Sequence, residues 1–191
     1  MYKIFLFIAT LFIFTNAHAQ KNKFDTTVKI GKNGFRILCS NKSATKNTLR
    51  ISPIGFEEVL DEINIDIKGK VYGAEIDDLN KDGFNDLVVY IVLDDKKNKG
   101  TVIAIASDEN KRIMPITFPE VVSNEKLKNG YDGNDSFKLL NGTLTHRFAV
   151  IDTTQNTEQI IIARQVLYTV IKGEYGNWKF KVQRIVDIFK Q

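Results

Sequence analysis

The run Ala74-Glu-Ile-Asp-Asp-Leu-Asn-Lys-Asp-Gly-Phe-Asn-Asp-Leu-Val-Val-Tyr90 decides the fold. It reads as an apolar strand, a tight loop rich in carboxylates, and a second apolar strand. The residues after the loop alternate and branch at Cβ as a strand requires, so no helix follows. Asp78, Asn80, Asp82 and Asp86 take loop positions 1, 3, 5 and 9, with Gly83 at the sharp turn and the Phe84 carbonyl at position 7. Hard cations want several oxygens at one point, and alternate residues of a curled loop supply them. Position 12 is Val89, where a helix-loop-helix calcium site needs a glutamate. The stretch is therefore a β-loop-β version of the motif, with calcium the expected ion at Asp78, Asn80, Asp82, Phe84 and Asp86. Asp, Asn and Gly are equally the residues of a turn closed by its own hydrogen bonds, and that alternative stays open. Neither reading implies catalysis.

The remaining chain extends the β reading in both directions. Runs with period-two alternation lie at Thr27–Ile30, Phe35–Ser40, Thr48–Ile54, Ile63–Ile67, Val71–Ile76 and Leu87–Leu93. Others follow at Thr101–Ala106, Ile113–Phe118, Phe137–Leu140, Thr143–Ile151, Ile160–Ile171 and Trp178–Ile188. Turn residues separate them, most tellingly Asn141-Gly142, the dipeptide favoured in two-residue hairpin loops. Glu120 to Gly133 is the least periodic segment and reads as a long loop with room for one helical turn. About ten short strands and no substantial helix predict an all-β, antiparallel sandwich or sandwich-like barrel in a single domain. The acidic loop occurs once, which excludes a propeller built on repeats of it.

Residues 1–19 are expected to be a signal peptide. Lys3 supplies the positive start, Ile4 to Phe14 the apolar run, and Ala17-His-Ala19 a small-x-small cleavage signal before Gln20. The apolar run is shorter than the roughly 20 residues a bilayer-spanning helix needs. Residues 20–191 then form the domain, periplasmic or secreted, with no membrane anchor expected.

The formal charge of +4 falls only to +3 without Lys3, and the lysines are interspersed with acids, so no nucleic-acid stripe emerges. Cys39 is the only cysteine and reads as a buried structural thiol. His146, the sole histidine beyond the leader, lies between Thr145 and Arg147 and reads as facing solvent or pairing locally. With no nucleophile–base constellation in view, the chain reads as a non-enzyme.

Several distant pieces fall in a recognisable order. Asp78-Leu-Asn-Lys-Asp-Gly83 is followed by Tyr131-Asp-Gly-Asn-Asp-Ser-Phe137 and Gly142-Thr-Leu-Thr-His-Arg-Phe148. Arg164-Gln-Val-Leu-Tyr168, Gly173-Glu174 and Trp178 complete the series. Together these resemble the periplasmic inhibitors of invertebrate-type lysozymes, over most of the chain beyond the leader. The resemblance implies an all-β exported protein that pushes surface loops into a lysozyme's active-site cleft. It places the partner-binding loop at Asp94, Asp95, Lys96, Lys97, Asn98, Lys99 and Gly100, where the family's serine and tyrosine signature is missing. It also suggests Asp135 or Glu174 as partner for a buried Arg147 or Arg164, and core or capping positions for Tyr168 and Trp178. The lysines of the 94–100 loop could neutralise the carboxylate pair of a lysozyme cleft. The alternative is a calcium-stabilised exported β-domain that binds another envelope or host partner.

Overall fold

The computed structural model describes residues 23–58, 61–93, 96–151 and 160–190. The expected signal peptide, and Asp94 and Asp95 of the expected partner loop, lie outside the described residues. Every alternating run becomes a strand, giving twelve among the described residues rather than about ten. The first four are β1 (Phe24–Ile30), β2 (Asn33–Cys39), β3 (Asn47–Ile54) and β4 (Ile63–Ile67), an antiparallel meander. The other eight are β5 (Lys70–Asp77), β6 (Asp86–Val92), β7 (Gly100–Asp108), β8 (Arg112–Thr117), β9 (Ser136–Leu140), β10 (Thr143–Ala149), β11 (Ile161–Lys172) and β12 (Trp178–Phe189). They form a second sheet in the order β5-β6-β7-β8-β12-β11-β10-β9. All its neighbours are antiparallel except β8 and β12, which meet in parallel at Trp178↔Ile116 and Lys179↔Thr117.

The eight-stranded sheet curls until its two edges meet. Leu139 N donates to the Glu75 carboxylate at 2.8 Å and Gly142 N to Asp77 at 2.7 Å, so side chains join β9 to β5 where the backbone ladder stops. The result is a nearly closed barrel with the four-stranded sheet packed on its outside, so both alternatives of the predicted class are present at once.

β6 explains the arrangement. Its residues Asp86 to Ile91 are all buried, which a strand shows only when both of its faces are covered. Val88 and Tyr90 point into the barrel, among Phe137, Leu144, Phe148, Val166, Tyr168 and Phe180. Leu87, Val89 and Ile91 point the other way, against Phe35, Ile37, Leu49 and Ile51 of the outer sheet. Cys39 is free and buried in this second core, as its alternation with Ile37 implies.

The aperiodic segment after β8 closes one end of the barrel. A 3-10 turn (Val121–Ser123) leads into the one-turn helix α1 (Glu125–Lys128), whose N-cap Asn124 accepts the Lys126 N–H at 3.0 Å. Val121 and Leu127 plug the core, Leu127 being 1% exposed. A side chain buried so fully contributes about 2 kcal/mol of transfer free energy. Such a short helix has little stability of its own. Arg164 Nη1 therefore matters, because it donates to the Lys126 and Asn129 carbonyls at 3.0 and 3.4 Å and ties the segment to β11.

Candidate functional site

Strand directions sort the candidate residues to two ends. β6 starts at the acidic turn and finishes at the 93–100 connection. Seven residues of strand at about 3.3 Å each separate the two by roughly 20 Å. The acidic turn shares its end with the Asn141–Gly142 turn, since Gly142 N bonds to Asp77.

At the acidic turn, Asp78, Asn80, Asp82 and Phe84 form a loop folded on itself. Asp78 accepts the N–H groups of Asp82 and Gly83 at 3.0 and 2.9 Å, and Asp82 accepts that of Phe84 at 2.9 Å. Asn80 accepts from Asp82 N at 3.1 Å and donates to the Asp82 carboxylate at 2.8 Å. Gly83 supplies the turn with φ +88°, where a side chain would be strained. Asp86 does not sit on an exposed strand edge: it is fully buried. Its Oδ2 accepts from Leu79 N at 3.0 Å and Asn80 N at 3.3 Å, and its Oδ1 from Ser107 N at 2.9 Å. Burial pushes its carboxyl up to about 7 and the nearby Asp82 charge adds to this, while the three backbone donors act in the opposite direction. Among the described residues, no three His, Cys, Asp or Glu groups gather so as to hold a metal. The loop's side-chain oxygens instead satisfy its own backbone.

At the other end, Lys96, Lys97 and Asn98 are exposed and Lys99 and Gly100 half-buried. The connection is knitted to the Tyr131–Asp135 segment. Asn134 N donates to the Lys97 carbonyl at 2.7 Å, Asp135 N to the Asn98 carbonyl at 3.2 Å, and Lys97 forms an ion pair with Asp132. A Cβ on Gly133, at φ +78°, would stand 2.2 Å from the Lys97 carbonyl oxygen, so only glycine allows this approach. Beside this surface an open groove of about 480 Å³ runs past Lys68, Ile91, Leu93, Lys99, Val121 and Tyr131.

Beneath the two loops lies a buried polar cluster. The Asp135 side chain is fully buried; its Oδ2 accepts the Gly100 N–H at 2.7 Å and the Tyr131 hydroxyl at 2.6 Å. Its Oδ1 lies 2.5 Å from Nε2 of His146, whose side chain is 1% exposed. The imidazole stacks on Phe137 with ring centres 4.2 Å apart, and among the described residues neither its Nδ1 nor the buried Tyr168 hydroxyl has a hydrogen-bond partner. Burial, with the Asp135 charge, raises the Tyr168 phenol above its ordinary value.

These contacts revise the expected partners. His146 neither faces solvent nor pairs with a sequence neighbour. In strand β10 it shares the inward face with Leu144 and Phe148, and that alternation was available in the sequence. Asp135 takes His146 rather than an arginine. Arg164 pairs through Nε and Nη2 with Asp187 at 2.6 and 3.1 Å, and Arg147 is exposed. Tyr168 fills the barrel core as expected and Trp178 packs half-buried against it. Glu75, which joins the barrel's edges, carried no signal beyond lying in a strand.

No helix among the described residues is long and apolar enough to cross a membrane. No protein-family model matches the chain, and no curated protein matches it.

Proposed function

We propose that the protein is an exported binding protein that occupies the cleft of a lysozyme or related muramidase with the 94–100 connection. The observation that carries this reading is the joining of that connection to Tyr131–Asp135 through backbone bonds and the Lys97–Asp132 pair. With residues 97–98 already tied down before binding, this surface loses less conformational freedom on docking, which favours affinity. Lys96 and Lys99 place cations on this surface beside Lys97, which is paired with Asp132, and a lysozyme cleft presents two carboxylates. A non-catalytic role is supported by the sealing of the Asp135–His146 pair inside the barrel, out of reach of a substrate.

The test is inhibition of invertebrate, chicken and goose-type lysozymes by the mature protein. Inhibition of the invertebrate type is expected, and alanine at Lys96, Lys97 and Lys99 together should abolish it. Folded protein that inhibits none of the three would overturn the reading.

The second reading is a calcium-stabilised domain that binds another envelope or host partner. It rests on the ligand spacing of Asp78, Asn80, Asp82 and Phe84 around Gly83, and calcium would draw the side-chain oxygens off the backbone N–H groups they now accept. Calcium at a hundredfold excess over its dissociation constant would then stabilise the protein by about 3 kcal/mol. Asp82→Ala would remove that response. Identical melting with calcium and with chelator would refute the metal part.

A further inference from the structure

We propose that the buried Asp135–His146 pair is the positioning element of the lysine-bearing surface, fixing the shape of the 96–100 loop without touching the partner. The inference rests on the binding role proposed above, while its conformational part can be measured without any partner.

Asp135 reaches the loop twice. Its backbone N–H donates to the Asn98 carbonyl at 3.2 Å, and its carboxylate receives the Gly100 N–H at 2.7 Å. The side chain is fully buried, so removing the carboxylate takes away the acceptor that reaches the Gly100 N–H from inside the barrel. A lone carboxylate at such depth would swing or protonate. Here Tyr131 holds Oδ2 from one side at 2.6 Å and His146 holds Oδ1 from the other at 2.5 Å. His146 is itself immobilised by Phe137, Phe148 and Phe118, with ring centres 4.2, 5.0 and 6.2 Å away. The chain of restraint therefore runs from the aromatic core through His146 and Asp135 to Gly100, the first residue of β7.

The bonds at Asp135 bear on the imidazole proton. Oδ2 receives two donors, and with the carboxylate accepting at Oδ1 as well, Nε2 carries the hydrogen between them, while Nδ1 has no partner among the described residues. In Asp135→Asn, the amide oxygen can keep the Gly100 and Tyr131 bonds while the amide nitrogen donates to Nε2. All three bonds survive if the proton moves to Nδ1. Asp135→Ala loses all three.

The experiment combines imidazole 15N shifts, amide exchange at Gly100 and Asn134, and lysozyme inhibition, on the mature wild type and both variants. Wild type should show the Nε2–H tautomer and Asp135→Asn the Nδ1–H tautomer, with amide protection and inhibition retained. Asp135→Ala should speed exchange at Gly100 by about tenfold or more and weaken inhibition by a similar factor, as loss of one buried charged acceptor implies. Unchanged exchange and inhibition in folded Asp135→Ala would overturn the proposal. So would an unmoved proton in Asp135→Asn together with full protection at Gly100, a result available even if the alanine variant fails to fold. If wild type inhibits no lysozyme, the functional link falls with the proposed function, and the exchange and tautomer results still decide whether the pair positions the loop.

Discussion

Glu75 on β5 holds Leu139 on β9: the carboxylate accepts the Leu139 N–H at 2.8 Å, in the place a backbone carbonyl would occupy in a continuous sheet. The same oxygen receives the Tyr90 hydroxyl from inside the barrel. Removing the carboxylate strands two donors at the seam. Glu75→Ala is expected to destabilise the protein by about 2–3 kcal/mol, given the usual cost of unpaired buried donors. Glu75→Gln, with one acceptor left, should lose less. Urea unfolding reads both, as a lower midpoint at unchanged slope.

Asp86 anchors the acidic turn from below, through the N–H groups of Leu79, Asn80 and Ser107. Asp86→Ala is expected to cost about 3 kcal/mol, because three backbone donors lose their acceptor in a buried site. Asp82→Ala, at the exposed rim, should cost about 1 kcal/mol or less.

The same residue gives stability a pH dependence. The Asp86 carboxyl sits at about 7 in the folded protein against 3.8 for an ordinary aspartate. Between those values the folded state holds a proton that the unfolded chain has released, so raising the pH weakens the fold. The contribution is full below about 4 and lost by the time pH passes 7. Melting temperature should fall across that window in wild type. The fall should be shallower in Asp86→Asn, which has no carboxyl to titrate.

On the alkaline side two tyrosines act together. Burial raises the phenols of Tyr90 and Tyr168, with the Glu75 bond adding at Tyr90. The folded state keeps these protons where an unfolded tyrosine loses them near pH 10, so this contribution is intact below pH 10 and is lost as the pH climbs beyond it. Absorbance at 295 nm should show these two phenols ionising only as the protein unfolds.

Arg164 should prove the most demanding of the arginines. It holds Asp187 with two nitrogens and the end of α1 with a third. Arg164→Ala is expected to destabilise by about 3 kcal/mol, since Asp187 loses its counter-charge and two carbonyls lose a donor. A double-mutant cycle with Asp187→Ala should return a coupling above 1 kcal/mol. Lysine at 164 should restore only part of the loss, having no planar fork.

Strand content was legible because alternation is a local property. Leu87 to Val92 stands among the alternating runs, although it is unbroken apolar, the pattern that suits a strand covered on both faces. Partner choice was not legible. Nothing near Arg164 in the chain points to Asp187, 23 residues away, and Glu75 meets Leu139 across 64. The acidic loop shows the same limit from another side. Its residue types were plain, yet whether the oxygens turn outward or onto their own backbone depends on the placement of Leu79 and Ser107 around Asp86. The association of Lys97 with Asp132 and Gly133 likewise follows from the closing of the barrel rather than from either loop alone.

β6 has a further consequence, for dissection of the chain. Because Leu87, Val89 and Ile91 serve the outer core while Val88 and Tyr90 serve the barrel, no cut yields a smaller self-sufficient unit. A fragment starting at β5 would keep every strand of the barrel and yet carry a naked aliphatic stripe along its outer wall. That stripe would invite self-association. The amino-terminal meander is the barrel's solubilising jacket, and domain-trimming or proteolysis there should yield aggregates before it yields a smaller folded unit.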